Sequence, residues 1–193
     1  MAEIFYMLNT NAASASSLLI SEPFMMDPNF KRSVVLLTEH TADGTVGYVL
    51  NQKSNLLLKD VISECENASF PIFIGGPVSN DTLHFIHRCN DRMNSGIEIS
   101  KNIYWGGNFE TLKLLINNNH IEEDEIKFFA GYSGWSPDQL DNELKQNSWL
   151  VNNKYNTEVL FVADEENLWK EVITSLGPKY AHIAKFPENP QWN

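Results

Sequence analysis

The chain has 193 residues, of which 42% are hydrophobic and 20% are charged, and its formal net charge is −11 at pH 7. This length suits a single domain, and the composition is that of a globular protein with a substantial core. The negative charge disfavours direct binding to nucleic acid, which depends on Lys and Arg neutralising phosphates. It disfavours anionic membranes for the same reason.

Cysteine usage and hydropathy predict a cytoplasmic protein. Cys65 and Cys89 are the only cysteines and do not form a Cys-x-x-Cys motif, so we expect reduced thiols rather than a disulfide framework. The N-terminus has no basic segment followed by an apolar run, which a signal peptide would need. No stretch approaches the roughly 20 apolar residues of a membrane helix, so we expect no membrane association.

The first quarter of the chain predicts a leader and a β-hairpin. Residues 1–17 contain a run of small polar residues and are expected to form a flexible leader. A short helical turn is predicted at Asp27-Pro28, because aspartate can cap a helix and proline suits its first turn. Strands are predicted over 33–38 and 45–50, and the Asp-Gly pair between them indicates an antiparallel hairpin.

Short strands and a few helices alternate through the rest of the chain. Apolar runs predict strands over 71–75, 83–87, 97–99, 102–105, 126–130, 148–151 and 158–161. Apolar residues at helical spacing predict helices over 56–62, over 108–117 with Asn108 as the cap, and from Asp164 to Leu176, before Gly177 and Pro178. This order favours an α+β domain over a regular βαβ repeat.

One further helix start is specified in unusual detail. Ser136 is a good N-cap, Pro137 falls at the first helical position, and Gln139 can reach back to complete a capping box. Trp135 and Leu140 have the spacing of a hydrophobic staple. The sequence therefore predicts a helix that begins directly after Ser136.

Several glycines mark places where the main chain bends or approaches another group closely. The pairs Gly75-Gly76 and Gly106-Gly107 each end a predicted strand, where they could bring N–H groups to a ligand or supply a turn or bulge. Neither pair fits the phosphate-binding or dinucleotide-binding pattern. Gly131 and Gly134 are expected to let the chain turn sharply before the helix.

The residues that could carry catalysis form no complete set. His84 and His87 point to opposite faces of a strand and could share a metal ion only on a helix, so we expect no metal site. Ser133 resembles the nucleophile of a Gly-x-Ser-x-Gly elbow, but Trp135 replaces the last glycine. Asn51 ends a strand, where its amide could bind a ligand or cap a turn.

Four ordered motifs resemble the bacterial YqgE/AlgH family. The motifs are residues 26–40 with 44–51, residues 74–78 with 83–87, residues 103–107, and residues 131–135 with Gln139, Leu140, Glu143 and Leu144. The resemblance covers roughly residues 18–186. Gln52-Lys53 departs from the family, which commonly has a basic residue followed by proline after Asn51.

The resemblance implies a single compact α+β domain over 18–186, with a curved, largely antiparallel sheet flanked by helices. Residues 187–193 would form an irregular tail. The family has no established activity, although some members are labelled transcriptional regulators and tied to alginate production. This sequence shows no helix-turn-helix with a basic recognition helix, so any regulatory role is expected to be indirect.

The first functional hypothesis is a non-enzymatic binding or regulatory domain without a cofactor, existing as a monomer or weak dimer. Its partner is expected to be a protein or a small-molecule ligand. The residues expected to shape the binding site are Asn51, Gly75, Gly76, His87, Gly106, Gly107, Gly131, Trp135 and Gln139. One alternative is a hydrolase that uses His87 or Ser133. The other is direct DNA binding, which the net charge disfavours.

Overall fold

The computed structural model describes residues 11–65, 68–162 and 165–187. The strands in these residues are β1 (Leu18–Ser21), β2 (Val34–Thr41), β3 (Gly44–Val49), β4 (Lys53–Leu57), β5 (Pro71–Ile74), β6 (Val78–His87), β7 (Ile97–Ser100), β8 (Ile103–Trp105), β9 (Ile126–Trp135) and β10 (Trp149–Asn152). The α-helices are α1 (Leu58–Val61), α2 (Asn90–Met93), α3 (Phe109–Asn117), α4 (Gln139–Lys145), α5 (Glu165–Ser175) and α6 (Pro178–Ala181). Short 3₁₀ turns occupy Ser63–Cys65, Glu123–Glu125, Thr157–Leu160 and Ile183–Lys185.

The strands form one open sheet in the order β10-β1-β2-β3-β9-β6-β8-β7, with β4 and β5 as a side branch. Neighbouring strands are antiparallel except for β5 and β9, which run parallel. The predicted α+β domain with a largely antiparallel sheet flanked by helices is therefore confirmed. The predicted hairpin is also confirmed, since β2 pairs with β3 across a turn at residues 42–43.

The sheet branches at β9 because the two halves of this strand have different neighbours on one side. Residues 128–130 pair with β5, whereas residues 133–135 pair with β3. Gly131, between the two halves, has φ +66, a backbone conformation that a residue with a side chain rarely adopts. Gly75 lies at this branch point, which we call the fork. Its N–H donates to the carbonyl of Ala130, and its carbonyl accepts from the N–H of Val49.

One large core lies on the side of the sheet that the C-terminal helices cover. Helix α5 contacts β1 and β2 and buries an apolar stripe of Leu168, Trp169, Val172 and Ile173. Two further apolar clusters lie apart from this core, one including Leu112 of α3 and one including Leu140 of α4. Several aromatic side chains that pack against this core, including Trp105 and Tyr132, are only half-buried.

Helix α4 begins at Gln139, two residues later than the sequence predicts. Asp138 has φ +61, and the N–H of Gln139 donates to the carbonyl of Ser136. Proline followed by a residue of positive φ is the pattern of a type II turn, so Pro137 serves a turn rather than the first helical position. The reach-back contact is confirmed, because the Ser136 N–H donates to Gln139 Oε1 at 3.0 Å.

Two other local predictions are wrong. Gly131 and Gly134 do not form a sharp turn, because β9 runs through both of them to Trp135. Residues 158–161 are not a strand: they form most of the 3₁₀ turn Thr157–Leu160 and its C-terminal cap, Phe161. The Asn156 side chain accepts a hydrogen bond from the N–H of Glu158 at the start of this turn. A polar side chain that caps a turn in this way competes with extended pairing.

Other predictions meet the structure only in part. Residues 11–17 contact the domain, since the N–H of Ser16 donates to the carbonyl of Leu37. Residues 1–10, the predicted cap Asp164 and the tail beyond Pro187 lie outside the described residues. Cys65 and Cys89 are both buried and free of any disulfide. In the described ranges, every helix is too short or too polar to span a bilayer.

Candidate functional site

Asn51 acts as a clamp on the main chain. Its Oδ1 accepts from the N–H of Val34 at 2.9 Å, and its Nδ2 donates to the carbonyl of Arg32, also at 2.9 Å. Both ends of the amide are therefore committed to the entry of β2. Of the two roles that the sequence left open for Asn51, the geometry supports the structural one.

Ser133 and the glycines of the first pair meet at the fork in the sheet. Ser133 is fully buried, and its hydroxyl donates to the carbonyl of Gly75 at 2.9 Å. A Cβ atom on Gly76 would lie 2.4 Å from Ser133 Oγ, so the glycine is needed for close packing. A hydroxyl without solvent access, bonded to a main-chain carbonyl, does not have the geometry of a nucleophile.

His87 lies in a second, separate cluster and is also fully buried. Its Nε2 is 3.1 Å from the carbonyl oxygen of Gly106, and its Nδ1 is 3.6 Å from Cys89 Sγ. Burial lowers the pKa of His87, although hydrogen bonds to the main chain of Gly106 and Ser95 oppose this effect. Burial also raises the pKa of the Cys89 thiol to about 11, so the pair is neutral and the thiol is not activated.

The second glycine pair shapes the pocket that encloses His87. Gly106 has φ +65, and Gly107 has φ +143. A Cβ atom on Gly107 would lie 2.9 Å from Ser95 Oγ, whereas one on Gly106 would meet nothing within 4 Å. Glycine is therefore needed at Gly106 only because of the positive φ. At Gly107 it is needed for the same reason and also because a Cβ atom would not fit.

Trp135 and Gln139 belong to a third cluster, centred on the carboxylate of Glu143. Its Oε2 accepts from Trp135 Nε1 at 2.9 Å and from Trp149 Nε1 at 2.7 Å, while Oε1 accepts from Gln139 Nε2 at 2.9 Å. The two indoles meet edge to face with their centres 5.9 Å apart. This network fastens α4 to β9 and β10. The residues that the sequence suggested for ligand or partner binding thus lie in three separate clusters, with Asn51 at a fourth place.

A different set of side chains does converge on one surface. We call it the aromatic face and define it as Tyr48 of β3, His84 of β6, Trp105 of β8, Tyr132 of β9 and Ile97 of the edge strand β7. The four ring-bearing residues come from four different segments of the resemblance described above. Paired positions in antiparallel strands project to the same side, which places Ile97 next to Trp105.

Tyr48 is the buried centre of the aromatic face, and the other rings surround it half-buried. The centre of its ring lies 5.3 Å from that of His84 and 6.4 Å from that of Trp105. His84 in turn meets Tyr132 edge to face at 5.9 Å. Ile97, at the rim, is 61% exposed. The face therefore presents ring surfaces to solvent over a fixed aromatic base.

The polar atoms of this face are largely bonded to one another. Trp105 Nε1 donates to the hydroxyl of Tyr48 at 3.0 Å, and His84 Nε2 lies 2.9 Å from the hydroxyl oxygen of Thr82. Burial lowers the pKa of His84, which favours its neutral form. Burial also raises the pKa of Tyr48, and the nearby Tyr132 adds to this rise. Both shifts favour the uncharged forms of His84 and Tyr48 at neutral pH.

The fork in the sheet explains how Tyr132 reaches this face. Strand β9 carries Phe129 beside Tyr48, and strict alternation would send Tyr132 to the opposite side. The positive φ of Gly131 interrupts the alternation, so that Tyr132 contacts His84 instead. The sequence shows this glycine but not its effect on Tyr132, because alternation alone does not reveal a bulge.

Two polar clefts share no residue with the aromatic face. The larger has a volume of about 740 Å³ and is lined by Arg88, Asn90, Asp91, Lys101, Asn102, Ile103, Tyr104, Thr157 and Glu158. Its arginine is paired with Asp124 at 2.9 Å and Glu158 at 2.7 Å. The smaller cleft, of about 210 Å³, lies between the β2–β3 turn and the start of α4. In the part of the chain that the structure describes, no group of three or more His, Cys, Asp or Glu side chains could hold a metal ion.

The open, branched α+β sheet and the four ordered motifs place this chain among the AlgH-like domains. The AlgH-like family profile, DUF179, matches residues 18–181, and the chain belongs to this family. A UPF0301 protein of Cytophaga hutchinsonii is 41% identical over 178 residues, covering 91% of this chain and 97% of the relative. A UPF0301 protein of Parabacteroides distasonis is 42% identical, covering 92% of this chain and 90% of the relative.

Two solved structures share the fold. The AlgH protein of Pseudomonas aeruginosa is 26% identical, with a TM-score of 0.69 over 92% of this chain and 98% of that one. A Corynebacterium diphtheriae protein has a TM-score of 0.77 over 95% of this chain and 97% of that one, and at 20% identity this likeness shows the fold alone. None of these names states a reaction or a ligand.

Proposed function

We propose that this protein is a non-enzymatic binding domain whose aromatic face holds a segment of a partner protein. The observation that carries the proposal is the convergence of His84, Trp105 and Tyr132, each partly exposed, around the buried Tyr48. Trp and Tyr are enriched among the residues that dominate binding energy at protein interfaces. A rigid aromatic base loses little conformational entropy when a partner binds.

The location of the candidate catalytic groups supports binding over hydrolysis. His87 and Ser133 are both fully buried, and each is bonded to a different main-chain carbonyl. A general base must reach the proton that it removes, directly or through one water molecule. In the larger polar cleft, Arg88 is committed to two carboxylates of the same chain. In the described part of the chain, no ion pair of this kind involves a residue of the aromatic face.

A regulatory role is compatible with such a domain, provided that it acts through a protein partner. The net charge of −11 disfavours direct contact with DNA. The family resemblance includes members labelled as transcriptional regulators. A protein that binds a regulator through its aromatic face could produce that effect indirectly.

The proposal is tested by selecting binding peptides and mapping where they bind. A random peptide library is displayed against the full chain, and the affinity of each selected peptide is measured by calorimetry. Trp105→Leu is expected to weaken binding about 30-fold, since truncating a central interface residue costs about 2 kcal/mol. Tyr104→Leu is the matched control, because it changes the neighbouring residue of β8 on the opposite side of the sheet. Circular dichroism confirms that both variants are folded.

Two results would overturn the proposal. One is a set of selected peptides whose affinity is the same for the wild-type protein and Trp105→Leu. The other is turnover of an ester, phosphate or nucleotide substrate that folded His87→Gln or Ser133→Ala abolishes. The second result would restore the hydrolase alternative.

A further inference from the structure

Resting on the proposed function, we infer that the partner segment is basic and places a Lys or Arg side chain against the rings of Trp105 and Tyr132. The flat side of an aromatic ring carries negative electrostatic potential and attracts cations that lie within about 6 Å of the ring centre. Both residues are half-buried, so each keeps part of its surface in contact with solvent. The partner segment is thus specified by a positively charged side chain and not by a particular sequence.

The protein already contains cation–π interactions between its own side chains. At least five such pairs occur in the described residues, and their separations run from 4.0 to 5.8 Å. The typical frequency is one pair in roughly 70–80 residues. The pairs are Arg32 on Trp169, Arg88 on Phe161, Lys113 on Phe109, Lys127 on Phe73 and Lys179 on Tyr180.

The rings of the aromatic face have no such cation among the described residues. Lys127 pairs with Ile86 across β9 and β6 and so lies on the same side of the sheet. It is only 4% exposed, its Nζ donates to the carbonyl of Val162, and it sits over Phe73. Val46 and Ile99 are further partly buried apolar side chains that, like Trp105 and Tyr132, pack against the large core. None of the five pairs in the described residues thus involves a ring of the aromatic face, which suits a cation supplied by another molecule.

The polar edge of Trp105 points to the same conclusion. Its only N–H donates to the hydroxyl of Tyr48, so it is not available to a partner. What Trp105 offers outward is the ring surface. An occupant that needs a hydrogen-bond donor gains little here, whereas a cation with an aliphatic stem can pack along the ring and keep its charged end partly hydrated.

Charge also selects between a basic partner and a second copy of this chain. Each copy carries −11, so bringing two aromatic faces together opposes two acidic molecules. A basic segment gains from the same charge through faster encounter and through attraction at the rim. The acidic character of the chain thus favours a different, cationic partner.

The test compares arginine with citrulline, which has the same shape without the positive charge. The probes are the peptide acetyl-Gly-Arg-Gly-Arg-Gly-amide and its counterpart with both arginines replaced by citrulline. Proton–nitrogen NMR follows the indole N–H signal of Trp105, identified by its absence in Trp105→Phe. The arginine peptide is expected to shift this signal and to bind at least fivefold more tightly than the citrulline peptide.

Three variants distinguish binding of the arginine peptide to the rings from its general attraction to an acidic protein. Trp105→Leu and Tyr132→Leu keep the net charge but are expected to lose the preference for arginine. Tyr104→Leu is expected to retain it. If one of the two ring variants does not fold, the other still decides the result.

Equal binding of the two probes, absence of any shift at Trp105, or an arginine preference that survives both ring variants would each overturn the inference. The proposed binding function fails separately. If displayed peptides bind at the aromatic face but the arginine and citrulline probes bind alike, the binding domain stands and only the basic partner is wrong.

Discussion

At the scale of single residues, His87 shows how burial converts a reactive side chain into a structural one. Its ring stacks on Tyr104 with the centres 5.5 Å apart, and its two nitrogens face Gly106 and Cys89. Burial without a counter-charge favours the neutral imidazole. The same residue in an open cleft beside a carboxylate would be a natural general base, so the difference lies in its surroundings.

The lowered pKa of His87 predicts that the protein loses stability as the solution becomes acidic. In the folded protein His87 stays neutral, whereas in the unfolded chain it takes up a proton near pH 6.5. The stability that this difference affects is therefore fully present above pH 6.5. It is lost as the pH falls toward the pKa of His87 in the folded protein. Between pH 6.5 and 5.5 the loss is expected to reach up to about 1 kcal/mol. Urea unfolding of wild type and His87→Gln across this range measures it.

The variant provides the control for other titrating groups, since both proteins contain the same carboxylates and His84. The expected result is a shallower pH dependence for His87→Gln, whatever its absolute stability. Parallel curves for the two proteins would show that His87 takes up its proton equally in the folded and unfolded states.

At the scale of elements, the fork in β9 determines both the fold and the aromatic face. Gly131 and Gly106 have nearly the same φ, +66 and +65. They differ in their surroundings, because a Cβ atom on Gly131 would lie 2.6 Å from the carbonyl oxygen of Val78, whereas one on Gly106 meets nothing within 4 Å. The two glycines therefore form a matched pair for separating backbone strain from close packing.

Replacing each glycine by alanine is expected to destabilise the protein to different extents. Gly106→Ala incurs only the strain of a left-handed conformation, about 1–2 kcal/mol. Gly131→Ala incurs the same strain plus overlap with the main chain of β6, which brings the total to about 3 kcal/mol or more. Chemical denaturation of both variants measures the difference. Equal losses would mean that the strands beside Gly131 move apart without cost.

The elements that the sequence predicted well are those whose signals are local. The cap at Asn108 and the hairpin between β2 and β3 each depend on a few adjacent residues, and both are confirmed. Pro137 shows the limit, because proline fits the first helical turn and the second position of a type II turn equally well. The residue that decided between them, Asp138, adopts a positive φ that its type permits but does not require.

The candidate site was harder to predict, because it depends on pairings between distant segments. Trp105 lies in one of the four motifs, but nothing near it in sequence indicates that its indole meets Tyr48, 57 positions away. His84 was considered only as a metal ligand together with His87, and the structure places the two on opposite sides of β6 through their separate ring contacts. The two glycine pairs, by contrast, do lie where the main chain needs a positive φ or close packing, whereas the sharp turn predicted at Gly131 and Gly134 is absent.

At the scale of the whole molecule, the acidic charge and the aromatic face act in opposite directions on self-association. A half-exposed aromatic surface tends to associate with itself, whereas two chains of charge −11 repel each other. The range of this repulsion depends on salt, since the screening length is about 30 Å at 0.01 M ionic strength and about 3 Å at 1 M. Hydrophobic association is not weakened by the same change.

We therefore expect a monomer of 22.0 kDa at low salt and increasing dimer formation as the salt concentration rises. Sedimentation equilibrium in 0.01 M and about 1 M sodium chloride measures the balance. Trp105→Leu is expected to abolish the salt-induced dimer, while Tyr104→Leu leaves it unchanged. A dimer that forms at low salt and disappears in Trp105→Leu would mean that the aromatic face is covered by a second copy of the chain, and the inference of a basic partner would then be wrong.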